Sequence, residues 1–271
     1  METLRLQMYE TILSTTPPLL LYCCSTATPL SATPHIPNSF LCPATGLSLK
    51  WLNTAVSSHK DRAILCYQDQ GVDLAATVWW LLQVVGCEEV AVLDGGLQAW
   101  QSAGHPVAYS PLKLIPVETE MIDELYVDLG KYRLAGDIDR LINDSSRPIQ
   151  LLDTEGSFKG AVHCPASLFL TPSASLVDPT TSEVILTGLS LKRNPLICTV
   201  VLGPCAPIVL LALSLLHFPN ISLGLPNLKS IDEVDRERFY SLASSTVFHD
   251  AKDSATAPPL LSEKQCSCLL L

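Results

Sequence analysis

The sequence predicts an α/β fold made of two successive units, each a small parallel sheet flanked by helices. Two observations predict it. Short, continuously apolar runs of strand length alternate with apolar stretches of helical length, the pattern of parallel strands covered on both faces. The same order of segments then occurs twice along 271 residues, a length that holds two domains of ordinary size.

In the first unit, Leu19 to Cys23 reads as a buried strand and His35-Ile36-Pro37-Asn38 as a turn. Ala63 to Tyr67 is the next strand. Gln68-Asp69-Gln70-Gly71 leads into a helix over 72–85, stopped by Gly86. Val90 to Leu93 is a third strand, and Asp94-Gly95-Gly96 turns it into a helix that carries Trp100 and ends at Gly104. Glycine accepts the left-handed conformation past a helix end without steric cost.

The second unit opens with a short helix, Asp137 to Ile142, and a strand, Ile149 to Leu152, ending at Asp153. Then come Gly160-Ala161-Val162-His163-Cys164-Pro165-Ala166, a strand over Leu196 to Cys198, a loop, and a helix over Ile208 to Leu216. These segments divide the chain into a domain over 1–109, a proline-bracketed linker over 110–116 and a second domain over 117–247. The polar, proline-containing stretch 248–271 reads as a flexible tail.

Composition narrows the function classes. Hydrophobic residues make up 48% and charged residues 16%, which excludes a disordered chain. A net charge of −10, with no Lys/Arg cluster as a local exception, predicts no nucleic-acid partner. The longest apolar run, Ile208 to Leu216, is too short for the ~20 residues of a membrane span. The N-terminus lacks a basic leader region, and Glu2 and Glu10 are unlike an acid-poor transit peptide, so a cytoplasmic protein is expected. Ten scattered cysteines without a CxxC pair predict neither a disulfide framework nor a zinc site, and read as small core hydrophobes. No cofactor or metal is expected.

Val92-Leu93-Asp94-Gly95-Gly96-Leu97-Gln98-Ala99-Trp100, with Gly104-His105-Pro106-Val107 behind it, closely resembles the closing signature of rhodanese domains, the sulfurtransferase fold. The helix with Ala75-Ala76-Thr77-Val78-Trp79-Trp80 is similar to that of the first half of two-domain thiosulfate and 3-mercaptopyruvate sulfurtransferases. His35-Ile36-Pro37-Asn38 is similar to the family's GHIPGA turn. The resemblance extends over about residues 15–109. It weakens afterwards, where Leu151-Leu152-Asp153 and His163-Cys164-Pro165-Ala166 still match. It implies two rhodanese-like domains, the first structural and the second expected to hold a reactive cysteine for small sulfur-containing anions.

That cysteine would start a loop that wraps into a helix N-terminus, where amides and the helix dipole stabilise a thiolate. Aligned from Pro195 through Gly203 to Ala206, the family's cysteine position falls on Val200, which cannot form a persulfide. Val201 and Leu202 add bulk, and Pro204 and Pro207 each remove an amide donor. Glu155 stands where a substrate-binding arginine is expected. These departures predict a catalytically impaired member acting as a binding or scaffold module. The alternative is sulfur transfer through a relocated thiol, with Cys205 near the helix start and Cys198 near the strand as candidates. His35, His105 and His163 read as fold positions, and Asp94 as a ligand of turn amides.

The chain ends Cys266-Ser267-Cys268-Leu269-Leu270-Leu271. Cys268 with two aliphatic residues and a terminal Leu matches a prenylation box, and Cys266 offers a second lipid position. A membrane surface reached through that lipid is therefore an expected partner. The sequence names no protein partner.

Overall fold

The computed structural model describes residues 18–25, 33–43, 47–59, 62–115, 127–128, 130–144 and 148–225. The first sheet consists of β1 (Leu19–Cys24), β2 (Phe40–Pro43), β3 (Ile64–Tyr67), β4 (Val90–Val92) and β5 (Lys113–Leu114). Its order is β4-β3-β1-β2-β5, all parallel. Helices α1 (Leu49–Val56), α2 (Asp73–Val84) and α3 (Gly96–Ser102) connect the strands. The second sheet holds β6 (Tyr132–Leu134), β7 (Ile149–Asp153), β8 (Val162–His163), β9 (Cys198–Leu202) and β10 (Ile221–Leu225). Its order is β6-β10-β9-β7-β8, again all parallel. Here the helices are α4 (Ala135–Asn143), α5 (Pro179–Gly188) and α6 (Ala206–Leu215).

Two α/β units with one grammar are thus observed. The four strands β4-β3-β1-β2 and β10-β9-β7-β8 have the same order, and each sheet adds one strand at an opposite edge. Side-chain alternation explains why both faces are apolar. Along β1, Leu19, Leu21 and Cys23 enter the core beneath α1 and α2. Leu20, Tyr22 and Cys24 enter a second core with Ile36, Leu97 and Trp100. The halves meet where α2 packs on α6, so Trp80, Val209 and Leu213 belong to one continuous core.

Two expectations shift. The strand expected over 196–198 runs instead over Cys198–Leu202. Leu196 is 78% exposed because Pro195 to Ile197 form a turn, closed by Ile197 N–H donating to Asn194 O at 3.0 Å. The stretch expected as a linker also supplies β5, paired with β2. Among the described residues no helix is long and apolar enough to cross a membrane.

Candidate functional site

The strand-end loop of the second half is where the resemblance places chemistry. Val200 sits inside β9, in register with Leu151 on one side and Ser222 on the other. It is fully buried, as is Val201. The strand continues to Leu202, and only Gly203, Pro204 and Cys205 separate it from α6. Gly224 of β10 makes this possible. A Cβ there would stand 2.1 Å from Leu202 Cδ2 and 2.8 Å from Val200 Cγ1. Val200 and Leu202 therefore pack as core with Leu151 and Ile138 of α4.

Polar groups around the loop are already engaged. Thr154 N–H donates to Leu202 O at 3.0 Å and its Oγ1–H to the same carbonyl at 3.2 Å. Gly203 adopts φ +97°, and a Cβ on it would lie 2.2 Å from Thr154 Oγ1. Ala206 N–H donates to Gly203 O at 3.2 Å, and the prolines at 204 and 207 have no N–H. Asp153, buried, accepts from Glu155 N–H, Ser157 Oγ–H and Phe158 N–H. Among the described residues no group of three His, Cys, Asp or Glu could hold a metal.

The two candidate thiols lie at opposite ends of β9. Cys198 begins the strand, half-buried, its Sγ 3.9 Å from Ser222 Oγ. Cys205 caps α6 and is 6% exposed. It is the exception to the expected free thiols, being disulfide-bonded. Elsewhere the thiols are core. Burial pushes Cys164 up to about 12. Cys23 is raised by burial too, and Cys42 chiefly by its hydrogen bond to Cys23. Cys66 is buried as expected. Cys266 and Cys268 lie outside the described residues.

In the first half the matching loop is closed by Gln68, 6% exposed, which sequence reasoning missed. Its Oε1 accepts from Ala75 N–H at 2.9 Å, and its Nε2 donates to Gln70 O at 2.7 Å and to Asp73 Oδ1. Its carbonyl accepts from Leu97 N–H at 2.8 Å, at the start of α3. Gly96, at φ +60°, is required there because a Cβ would meet that carbonyl oxygen at 2.4 Å. Asp94 reaches beyond its own turn. Its Oδ1 accepts from Leu176 N–H of the second half at 2.8 Å.

Residues 24–103 match the rhodanese-like domain family. Those residues carry a rhodanese-like domain, and the two-unit fold is the rhodanese fold. It is 26% identical over 191 residues to mouse thiosulfate sulfurtransferase, covering 63% of this chain and 62% of that one. It is 32% identical over 77 residues to thiosulfate/3-mercaptopyruvate sulfurtransferase 2 of Arabidopsis thaliana, covering 27% of this chain and 22% of that one. The matches thus span less than two thirds of these relatives. The rhodanese-fold structure of the 3-mercaptopyruvate sulfotransferase SseA from Escherichia coli superposes with a TM-score of 0.67 at 19% identity, over 83% of this chain and 98% of that one.

Against that rhodanese frame, the signature over 92–100 belongs to the half whose strand-end loop holds Gln68. The second half holds Val200 at the position where the sequence resemblance places the reactive cysteine. In both halves a side chain from the protein itself, Gln68 or Thr154, takes up hydrogen-bonding groups of the loop.

Proposed function

We propose that this rhodanese-fold chain does not transfer sulfur by the family mechanism and serves as a binding or scaffold module. One observation carries the reading: Val200 is a fully buried strand residue whose side chain shares a core with Leu151 and Leu202. A thiolate needs an open cradle of amides and positive potential. The loop between β9 and α6 is three residues long, contains Pro204, and has exposed Glu155 nearby. Gly224 leaves room for the bulk of Val200 and Leu202, which supports a packing role for both side chains.

The test is sulfur loading of the reduced full chain with thiosulfate or 3-mercaptopyruvate. The proposal expects no turnover to cyanide. Steady turnover abolished by Cys205→Ser or Cys198→Ser would contradict it and support the relocated-thiol alternative, with a small sulfur-containing anion as substrate. The module would act in the cytoplasm, held at a membrane surface by lipid on Cys268 or Cys266.

A further inference from the structure

The turn position expected of His35 accounts for its backbone and leaves its ring to be explained. That ring meets Ser110 at the end of the first sheet opposite Gln68 and the signature turn. His35 is rigidly mounted there. Its N–H donates to Ala108 O at 3.0 Å, and its C=O accepts from Ala108 N–H at 2.8 Å. This isolated bridge fixes the two segments against each other two residues before Ser110. His35 is 2% exposed, whereas Ser110 is exposed.

The side chains stand in a definite order. His35 Nδ1 lies 2.9 Å from Thr33 O. A carbonyl only accepts, so Nδ1 carries the proton and Nε2 presents its lone pair. That lone pair faces Ser110 Oγ at 3.4 Å, so the hydroxyl proton points at Nε2 and the oxygen stays reachable from solvent. Carbonyl, imidazole and hydroxyl in this sequence are an oriented base beside a nucleophile. The separation is longer than in a closed pair, as is common before a substrate binds. Thr33, His35, Ala108 and Ser110 all belong to the described residues.

We propose that Ser110 and His35 form a nucleophile–base dyad that hydrolyses small carboxylic esters. Ser110 Oγ attacks the ester carbonyl carbon as its proton passes to His35 Nε2, and Thr33 O holds the resulting imidazolium through Nδ1. Collapse breaks the bond to the leaving alkoxide, which takes the proton from Nε2. Water then attacks acyl-Ser110, passing one proton to Nε2. Release of the acid returns that proton to Ser110 Oγ, so ester and water become acid and alcohol with nothing oxidised or reduced. Both side chains line a space of about 620 Å³, a volume that suits a small organic molecule. Lys113 lines it too, and its charge would offset the developing oxyanion. The Trp100 indole N–H is satisfied by Pro106 O at 2.8 Å, which leaves the ring, with Phe40, as apolar lining for the acyl group. The third member is a neutral carbonyl rather than a carboxylate, so turnover should be slow. The dyad is independent of sulfur chemistry and stands whether or not the second half is active.

Stopped-flow hydrolysis of 4-nitrophenyl acetate by the full chain, with peptide mass spectrometry of the acid-quenched protein, tests this. The expected result is a stoichiometric burst of 4-nitrophenolate and an acetyl group on Ser110. Ser110→Ala, at an exposed position, should melt unaltered and lose both. His35→Gln should slow the burst by about a hundredfold. Unfolding in urea provides the same test without a core variant, because the pair exists only in the fold, and Ser110 should then stay unlabelled. Acetylation only at other residues, a burst that survives in Ser110→Ala, or equal Ser110 labelling in urea or in folded His35→Gln would overturn the dyad.

Discussion

Gly96 and Val200 carry, at single-residue scale, the fold and the proposed loss of sulfur chemistry. A Cβ at Gly96 meets Gln68 O at 2.4 Å with φ at +60°, so Gly96→Ala should destabilise by about 3 kcal/mol, read from denaturant unfolding. Val200→Cys restores the family's residue type but not its setting, since the thiol would be fully buried in β9. We expect that variant to acquire no thiosulfate:cyanide turnover and to resist thiol-reactive reagents until unfolded. Asp73 offers a test with a sign. Burial, the largest influence, holds its carboxyl above the usual carboxylate range, against the opposing hydrogen bond from Gln68. The native state therefore keeps this proton to higher pH than the unfolded chain, and Asp73's contribution to stability falls as pH rises through the raised value. Asp73→Asn, which still accepts from Gln68 Nε2, should raise the Tm at about pH 7, with the gain shrinking toward about pH 4.

At the scale of elements, the signature turn couples the halves as well as closing its own. Asp94 at the end of the turn after β4 accepts Leu176 N–H, and a Cβ on Gly95 would meet Ser175 Oγ at 2.9 Å. Asp94→Ala should cost about 2 kcal/mol, as expected for losing a hydrogen bond to a charged acceptor. Native-state hydrogen exchange should show the loss around 171–177. The strands around the signature were legible because β1, β3 and β4 are short apolar runs with glycine punctuation. The helix over 73–84 was legible from its length and from Gly86. The β9 strand was misplaced because Leu196, though apolar, is exposed in a turn, and apolarity alone does not separate strand from surface. Strands β5, β6 and β8 have only two or three residues, too few for a periodic signal. Helix α5 did carry a readable start, Asp178 accepting from Thr181 N–H at 3.0 Å with Pro179 at the first position.

For the molecule as a whole, the repeated strand order and the α2–α6 contact are what two such units need to share a core. The proposed loss of the sulfur position rests on Val200, Pro204 and Glu155, all read from the sequence. The room that Gly224 leaves was not legible there. Gly224 lies 24 residues from Val200 in sequence and beside it only through the register of β10 with β9. Likewise, Ser110 and His35 are separated by 75 residues and meet only across folded structure. Lipidation belongs to this scale too. Intact mass of the full chain from eukaryotic cells should show an isoprenoid addition at Cys268, and an unmodified mass would remove the membrane anchor from the proposal. The central claim, that the rhodanese frame persists without its sulfur chemistry, is tested most directly by one measurement. The reduced full chain is treated with excess thiosulfate or 3-mercaptopyruvate, and every cysteine is then examined by peptide mass spectrometry for a cyanide-labile sulfur of about 32 Da, the mass of one sulfur atom bound at a thiolate. The account predicts no such addition at Cys205, Cys198 or any other position. Stoichiometric addition at one cysteine, removed by cyanide, would contradict it.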